Sequence, residues 1–100
     1  RYADSVNLIS RPNLFAAARE TRNPQLAEKV ARWYDLVSRN SFSNFVELKM
    51  VFPSVDLVKD RLVFNLGSHR LICGFSFARK TFFFKALLSH AEYEKGVWRS

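Results

Sequence analysis

Arg61-Leu62-Val63-Phe64-Asn65-Leu66-Gly67-Ser68-His69-Arg70-Leu71-Ile72-Cys73-Gly74-Phe75-Ser76-Phe77 is the stretch on which the fold turns. Side chains alternate on both sides of Gly67-Ser68, the period of a half-buried strand, and a Gly-X pair suits a two-residue hairpin turn. Pairing Leu66 with His69 sets the register. Leu62, Phe64, Leu71 and Cys73 then share one face, and Asn65 stands opposite Arg70 on the other. A third strand, Thr81 to Leu88, follows Ala78-Arg79-Lys80. One parity sets Phe82, Phe84, Ala86 and Leu88 beside Phe75 and Phe77, and it sends Lys85 to the face of Arg70. The sheet then has an apolar side for helices to cover and an opposite side bearing Arg61, Asn65, Arg70, Phe83 and Lys85.

Upstream, Val6-Asn7-Leu8-Ile9 reads as a short strand, and Ser10 and Pro12 mark the start of a helix carrying Leu14, Phe15 and Ala18. Asn23-Pro24 is a cap and first-turn signal for a second helix, whose apolar face is Leu26, Val30, Trp33 and Val37. Ser41 to Val51 predicts a third, with Phe45, Leu48 and Phe52 apolar, stopped before Pro53. From Lys59 the period becomes two. Beyond Leu88, Ser89-His90-Ala91-Glu92 is a capping-box pattern. It puts His90 at the first helical position and Tyr93 three residues on, with both rings on one side of the turn. These elements predict one α+β domain over residues 1–100: a small antiparallel sheet of three to four strands, packed on one face by the N-terminal helices.

Composition narrows the chemistry. A chain of 100 residues that is 48% hydrophobic builds one core. Cys73 is the single cysteine, which forbids an internal disulfide, and two histidines without ligand spacing argue against a metal site. Gly67, Gly74 and Gly96 are isolated, so no Walker loop, dinucleotide turn or nucleophile elbow is present and no cofactor is expected. No apolar run is long enough to span a membrane, and Asp4, Arg11, Arg19 and Glu20 interrupt the first twenty residues, which predicts no signal peptide and a cytoplasmic protein. Sixteen Lys and Arg against nine Asp and Glu give a net charge of +7, which favours a polyanionic partner.

The cluster with chemical content is Asn65, Arg70, Lys85, His90 and Tyr93: cations, an imidazole that titrates near neutrality and a phenol. RNA cleavage without a metal needs such a set. A base takes the ribose 2′-hydroxyl proton, an acid protonates the leaving 5′-oxygen, and positive charge faces the phosphate oxygens. Arg61, His69, Arg79 and Lys80 extend the cationic surface toward RNA. Each residue also has an ordinary structural reading. Arg70 and Lys85 suit a solvated sheet face, His69 and His90 a surface, and Tyr93 packing under the sheet. Trp33 and Trp98 suit helix packing, and Cys73 an inert core thiol.

Val51-Phe52-Pro53-Ser54, Leu62-Val63-Phe64-Asn65-Leu66-Gly67, Arg70-Leu71-Ile72 and Ser89-His90-Ala91-Glu92-Tyr93-Glu94 resemble the HigB family of type II toxins, in the RelE superfamily. The likeness extends to Asn7-Leu8-Ile9-Ser10 and the helical region around Trp33. It implies a RelE-like fold and a toxin that enters the ribosomal A site and cleaves the mRNA there, restrained by a cognate helix-turn-helix antitoxin of the HigA type. By matching motif, the resemblance assigns Arg70 to the Arg after the glycine turn, His90 and Tyr93 to an HxEY block, and Asn65 to the Asn of VFN. Lys85 stands where the family often carries Arg, so the charge is kept and the bidentate fork is lost. The turn from Gly67 to Arg70 is about two residues shorter than the family's, an even change that preserves strand parity. His69 offers a partial replacement for the polar residue lost. Two alternatives stand beside this reading. One is a catalytically degenerate RNA- or antitoxin-binding module of the same fold. The other is a DNA-binding regulator, disfavoured because no helix-turn-helix is visible and the helix over Leu26 to Val37 offers few groove-reading side chains.

Overall fold

A computed structural model describes residues 6–96, an α+β architecture in which helices cover one face of a five-stranded mixed sheet. Strand β1 (Asn7–Ile9) is followed by three helices, α1 (Arg11–Glu20), α2 (Pro24–Arg39) and α3 (Phe45–Val51). The strands β2 (Asp56–Val58), β3 (Arg61–Asn65), β4 (His69–Ser76) and β5 (Thr81–Ser89) come next, and α4 (His90–Lys95) closes the series. Spatial order is β1-β5-β4-β3-β2. Three pairings are antiparallel, while β1 lies parallel to β5, with Leu8 beside Phe82. Parallel pairing is open to β1 because three helices and the rest of the sheet separate it from β5 in sequence.

The helices start where capping chemistry directs. Asn23 Oδ1 accepts the Leu26 N–H at 3.2 Å and Pro24 occupies the first turn of α2. Leu26, Val30, Trp33 and Val37 all point into the core, each worth roughly 1.5–3 kcal/mol of burial. Helix α3 starts at Phe45 rather than Ser41, because Asn44 Oδ1 takes the Glu47 N–H at 2.9 Å and Glu47 reaches back to the Ser43 N–H at 2.7 Å. Ser10 starts α1 through its backbone carbonyl and not its side chain, with φ at 67°. Between the layers runs an aromatic chain: Trp33 meets Phe64 edge-on at 5.2 Å, Phe64 meets Phe82, and Phe82 stacks on the buried Phe42. Trp98 lies outside the described residues.

The hairpin register is the one the alternation predicts: Asn65 opposite Arg70, Phe64 opposite Leu71 and Leu62 opposite Cys73. Gly67 takes φ of 82° in the turn, a conformation that side-chain-bearing residues rarely adopt. The far strand needs a correction. Ile72 pairs with Ala86 and Cys73 with Phe84, which leaves Lys85 as the extra residue of a β-bulge. Parity reverses past the bulge. Phe82 and Phe84 face the core as predicted, but Leu87, not Ala86 or Leu88, continues that face, with Leu87 opposite Leu71 and Leu88 opposite Arg70. A strand was also missed: Asp56-Leu57-Val58 adds a fifth to the three or four expected. The open face is less polar than predicted, since Val63 (3% exposed) and Ile72 (1%) are buried there, outside the main core cluster.

Candidate active site

The turn end of the hairpin builds the best-defined polar arrangement on the open face. Arg70 Nη1 donates to Asn65 Oδ1 at 3.1 Å, to the Gly67 carbonyl at 2.9 Å and to the His69 carbonyl at 3.3 Å. Asn65 Oδ1 in turn accepts the Gly67 N–H at 2.9 Å, so the same residue shapes the turn and holds the arginine. The guanidinium carbon lies 5.9 Å from the centre of the Tyr93 ring, a cation–π distance. Nη1 carries all three bonds. Nε and Nη2 have no partner among the described residues and leave an open edge with the geometry of a bidentate phosphate contact.

Helix α4 is fastened to this turn from both sides. The His90 N–H donates to the Ser68 carbonyl at 3.2 Å, and His69 pairs with Ser89 in the sheet. The capping box is complete: Ser89 Oγ accepts the Glu92 N–H at 3.2 Å and Glu92 Oε1 accepts the Ser89 N–H at 2.8 Å. That backbone hydrogen bond, more than any other contact, holds the Glu92 carboxyl below the usual carboxylate range. Gly96 ends the helix at φ of 75°. Along α4, His90 Nε2 lies 3.6 Å from Glu94 Oε1 at a solvent-exposed i,i+4 pair. His69 Nδ1 is 2.9 Å from Ser68 Oγ.

Not every residue singled out from sequence gathers here. Arg70, Asn65, His69, His90 and Tyr93 lie around the turn end. Lys85 shares their face of the sheet but not their place, because its side chain lies over Gly74, where a Cβ would fall 3.2 Å from Lys85 Cε. Gly74 is four residues along β4 from Arg70, about 13 Å at strand rise. Lys85 instead lines a shallow depression of about 300 Å³ with Arg61, Asp60, Gly74 and Phe83, in which Arg61 Nη1 lies 3.4 Å from Asp60 Oδ1. Arg79 and Lys80 occupy the β4–β5 turn at the opposite end of the strands, beside Asn7 of β1. Glu94 went unread although its spacing from His90 announces the pair, and the carbonyls of Gly67 and His69 carry no side-chain signal at all. Burial pushes the Cys73 thiol up, which leaves it protonated within the core.

The fold and this site define a class of small basic α+β proteins whose sheet carries an arginine held by the turn that precedes it. A model of the HigB toxin family, described as the RelE-like toxic component of a toxin-antitoxin system, matches residues 26–96. The mRNA interferase HigB of Escherichia coli O6:H1 (strain CFT073) is 32% identical over 95 residues, covering 90% of each chain. The chain belongs to the HigB toxin family. No described helix is long and apolar enough to cross a membrane.

Proposed function

We propose that this toxin is a ribosome-dependent mRNA endonuclease that works by acid–base chemistry without a metal, and that a helix-turn-helix antitoxin holds it in check. The observation that carries the reading is the Arg70 guanidinium, braced through Nη1 by Asn65 and Gly67 while Nε and Nη2 stay open. A group fixed in advance stabilises developing negative charge without reorganising during the reaction. In the proposed step the ribose 2′-oxygen attacks its 3′-phosphorus and the bond from phosphorus to the 5′-oxygen breaks. The products are a 2′,3′-cyclic phosphate and a 5′-hydroxyl. His90 and Tyr93 divide the proton transfers, one accepting the 2′-hydroxyl proton and the other supplying the proton to the 5′-oxygen. Arg70 neutralises the equatorial oxygens of the phosphate.

The depression lined by Arg61, Phe83 and Lys85 supports a second part of the reading, in which the mRNA runs on across the open face. Charge there binds flanking phosphates, and Arg79 and Lys80 extend the basic surface to the far end. The relative named an mRNA interferase supports RNA as the substrate. Mapping mRNA 5′ ends after induction, and repeating the digestion on purified mRNA with and without ribosomes, tests the proposal. Cleavage on ribosomes alone, leaving 5′-hydroxyl ends that vanish with His90→Ala, is the expected result. Equal cleavage of free RNA, or 5′-phosphate ends, would refute it.

A further inference from the structure

Behind the Arg70 turn, on the helical side of the sheet, a cleft of about 240 Å³ opens between α2 and the end of β3. Its walls include Trp33, Leu36, Phe52 and Phe64, and the charged residues among its described lining are Lys29 and Arg32, with no carboxylate. Two features mark it as built to receive something. The Trp33 Nε1–H is buried and has no hydrogen-bond partner among the described residues, and buried indole donors ordinarily find one. Leu36, three residues on from Trp33 along α2, is a large aliphatic side chain left 37% exposed at the cleft.

The chemistry selects the occupant. A cavity of this volume is smaller than the ~300–1,000 Å³ of ordinary small-molecule pockets, and suits one large side chain. A nucleobase would bury several donors and acceptors against walls that are mostly apolar, leaving many of them unpaired. An aliphatic or aromatic side chain carries no such burden. Carboxylates beside it match Lys29 and Arg32.

We propose that the cleft docks an acidic peptide segment of a partner protein, which inserts an apolar side chain beside Trp33, Leu36 and Phe52 and sets its carboxylates against Lys29 and Arg32. The proposal rests on the toxin reading for its source, since the antitoxin is the partner that reading supplies. The cleft also adjoins the chemistry: Lys29 Nζ lies so near Gly67 that a Cβ there would fall 2.5 Å from it, and the Gly67 carbonyl is one of the three acceptors of Arg70. A segment seated in the cleft therefore touches the turn that braces Arg70 without covering the open face.

The test uses the isotope-labelled full chain and the Trp33 indole N–H resonance, titrated with the peptide Ac-Asp-Glu-Leu-Phe-Glu-Asp-NH2, with its Lys-for-acid counterpart, and with single-stranded oligoadenylate. The acidic peptide is expected to shift the indole resonance saturably. The Lys29→Glu, Arg32→Glu double variant is expected to weaken that binding at least ~10-fold while still cleaving mRNA. An indole resonance unmoved at millimolar acidic peptide would overturn the proposal. So would equal shifts with the basic peptide, or a shift with oligoadenylate instead. The toxin reading fails separately, through absence of mRNA cleavage by the native chain.

Discussion

Replacing Arg70 by Ala separates chemistry from stability, because the structure sets a different magnitude for each. The substitution removes three hydrogen bonds from Nη1, but none of the acceptors is left stranded. Asn65 Oδ1 keeps the Gly67 N–H at 2.9 Å, the His69 carbonyl keeps the Leu66 N–H at 3.0 Å, and the Gly67 carbonyl lies at the exposed turn, within reach of water. The stability cost is then about 1 kcal/mol, since the expensive event, a buried unsatisfied partner, does not occur. The catalytic cost is larger. Removing one preorganised donor from a developing oxyanion lowers the rate by about 10²–10³, or 2.7–4 kcal/mol of transition-state stabilisation. Single-turnover cleavage on programmed ribosomes, beside a denaturant titration of the same preparation, reads both quantities. Arg70→Lys refines the result, because it keeps the charge and loses the fork that Nε and Nη2 present, so it should recover binding more fully than rate. Asn65→Ala should lower the rate less than Arg70→Ala and add little to it in the double variant, as expected of residues that act as a unit. A well-folded Arg70→Ala protein that cleaves at the native rate would sink the site assignment, though not the family membership.

Four further outcomes follow from the same geometry. Ser89→Ala removes the acceptor of the Glu92 N–H and should cost roughly 0.5–2 kcal/mol of local stability, seen as faster amide exchange over residues 90–95 together with a lower cleavage rate. Because folding depresses the Glu92 carboxyl from its ordinary 4.5, its stabilising contribution is present above that pH and is lost as pH falls through the lower folded value, so α4 protection should decline below about 4.5 in native protein and show no such step in Glu92→Gln. Ribosome or RNA binding should weaken with salt at a logarithmic slope of about −0.7 per contacted phosphate on a single strand, lessened by about that unit in Lys85→Ala; a flat titration would count against the basic face. The Cys73 thiol should resist alkylation in native protein and react fully in denaturant, and rapid native labelling would contradict its burial in the core.

How far the sequence could be read depended on how local the cause was. Helix α2 was legible because cap, proline and apolar stripe all lie within the helix and its N-cap and agree, from Asn23 to Val37. The β3–β4 register was legible because a two-residue turn leaves only one pairing that keeps Leu62, Phe64, Leu71 and Cys73 together. Strand β2 was not, since Asp56-Leu57-Val58 is three residues long at a sheet edge and owes its extended form to pairing with Val63, Leu62 and Arg61. The β5 bulge escaped for a similar reason. Thr81 to Ser89 contains no glycine or proline to mark the irregularity, and its one polar interior residue, Lys85, fits an unbroken alternation as well as a bulged one. At the site, Asn65 and Arg70 were visible as a cross-strand pair, whereas two of the acceptors that brace the guanidinium are carbonyls, whose direction depends on the turn conformation at Gly67.

The bulge also divides the proposed labour of the open face. Without it, Lys85 would continue the row of side chains that ends at Arg70, and two cations could meet one phosphate. With it, Lys85 turns over Gly74 toward Arg61, about 13 Å along the strand from Arg70. That separation exceeds the Debye length of ~8 Å at physiological ionic strength, so across a solvated face Lys85 has little hold on charge developing beside Arg70. It lies well placed for a different phosphate of the same strand. In the proposed reading Arg70 therefore has no cationic substitute at the reacting phosphate, while Lys85, Arg61, Arg79 and Lys80 share binding among themselves. That arrangement makes the loss of Arg70 alone decisive for rate, and makes the loss of any one of the others a graded change in affinity.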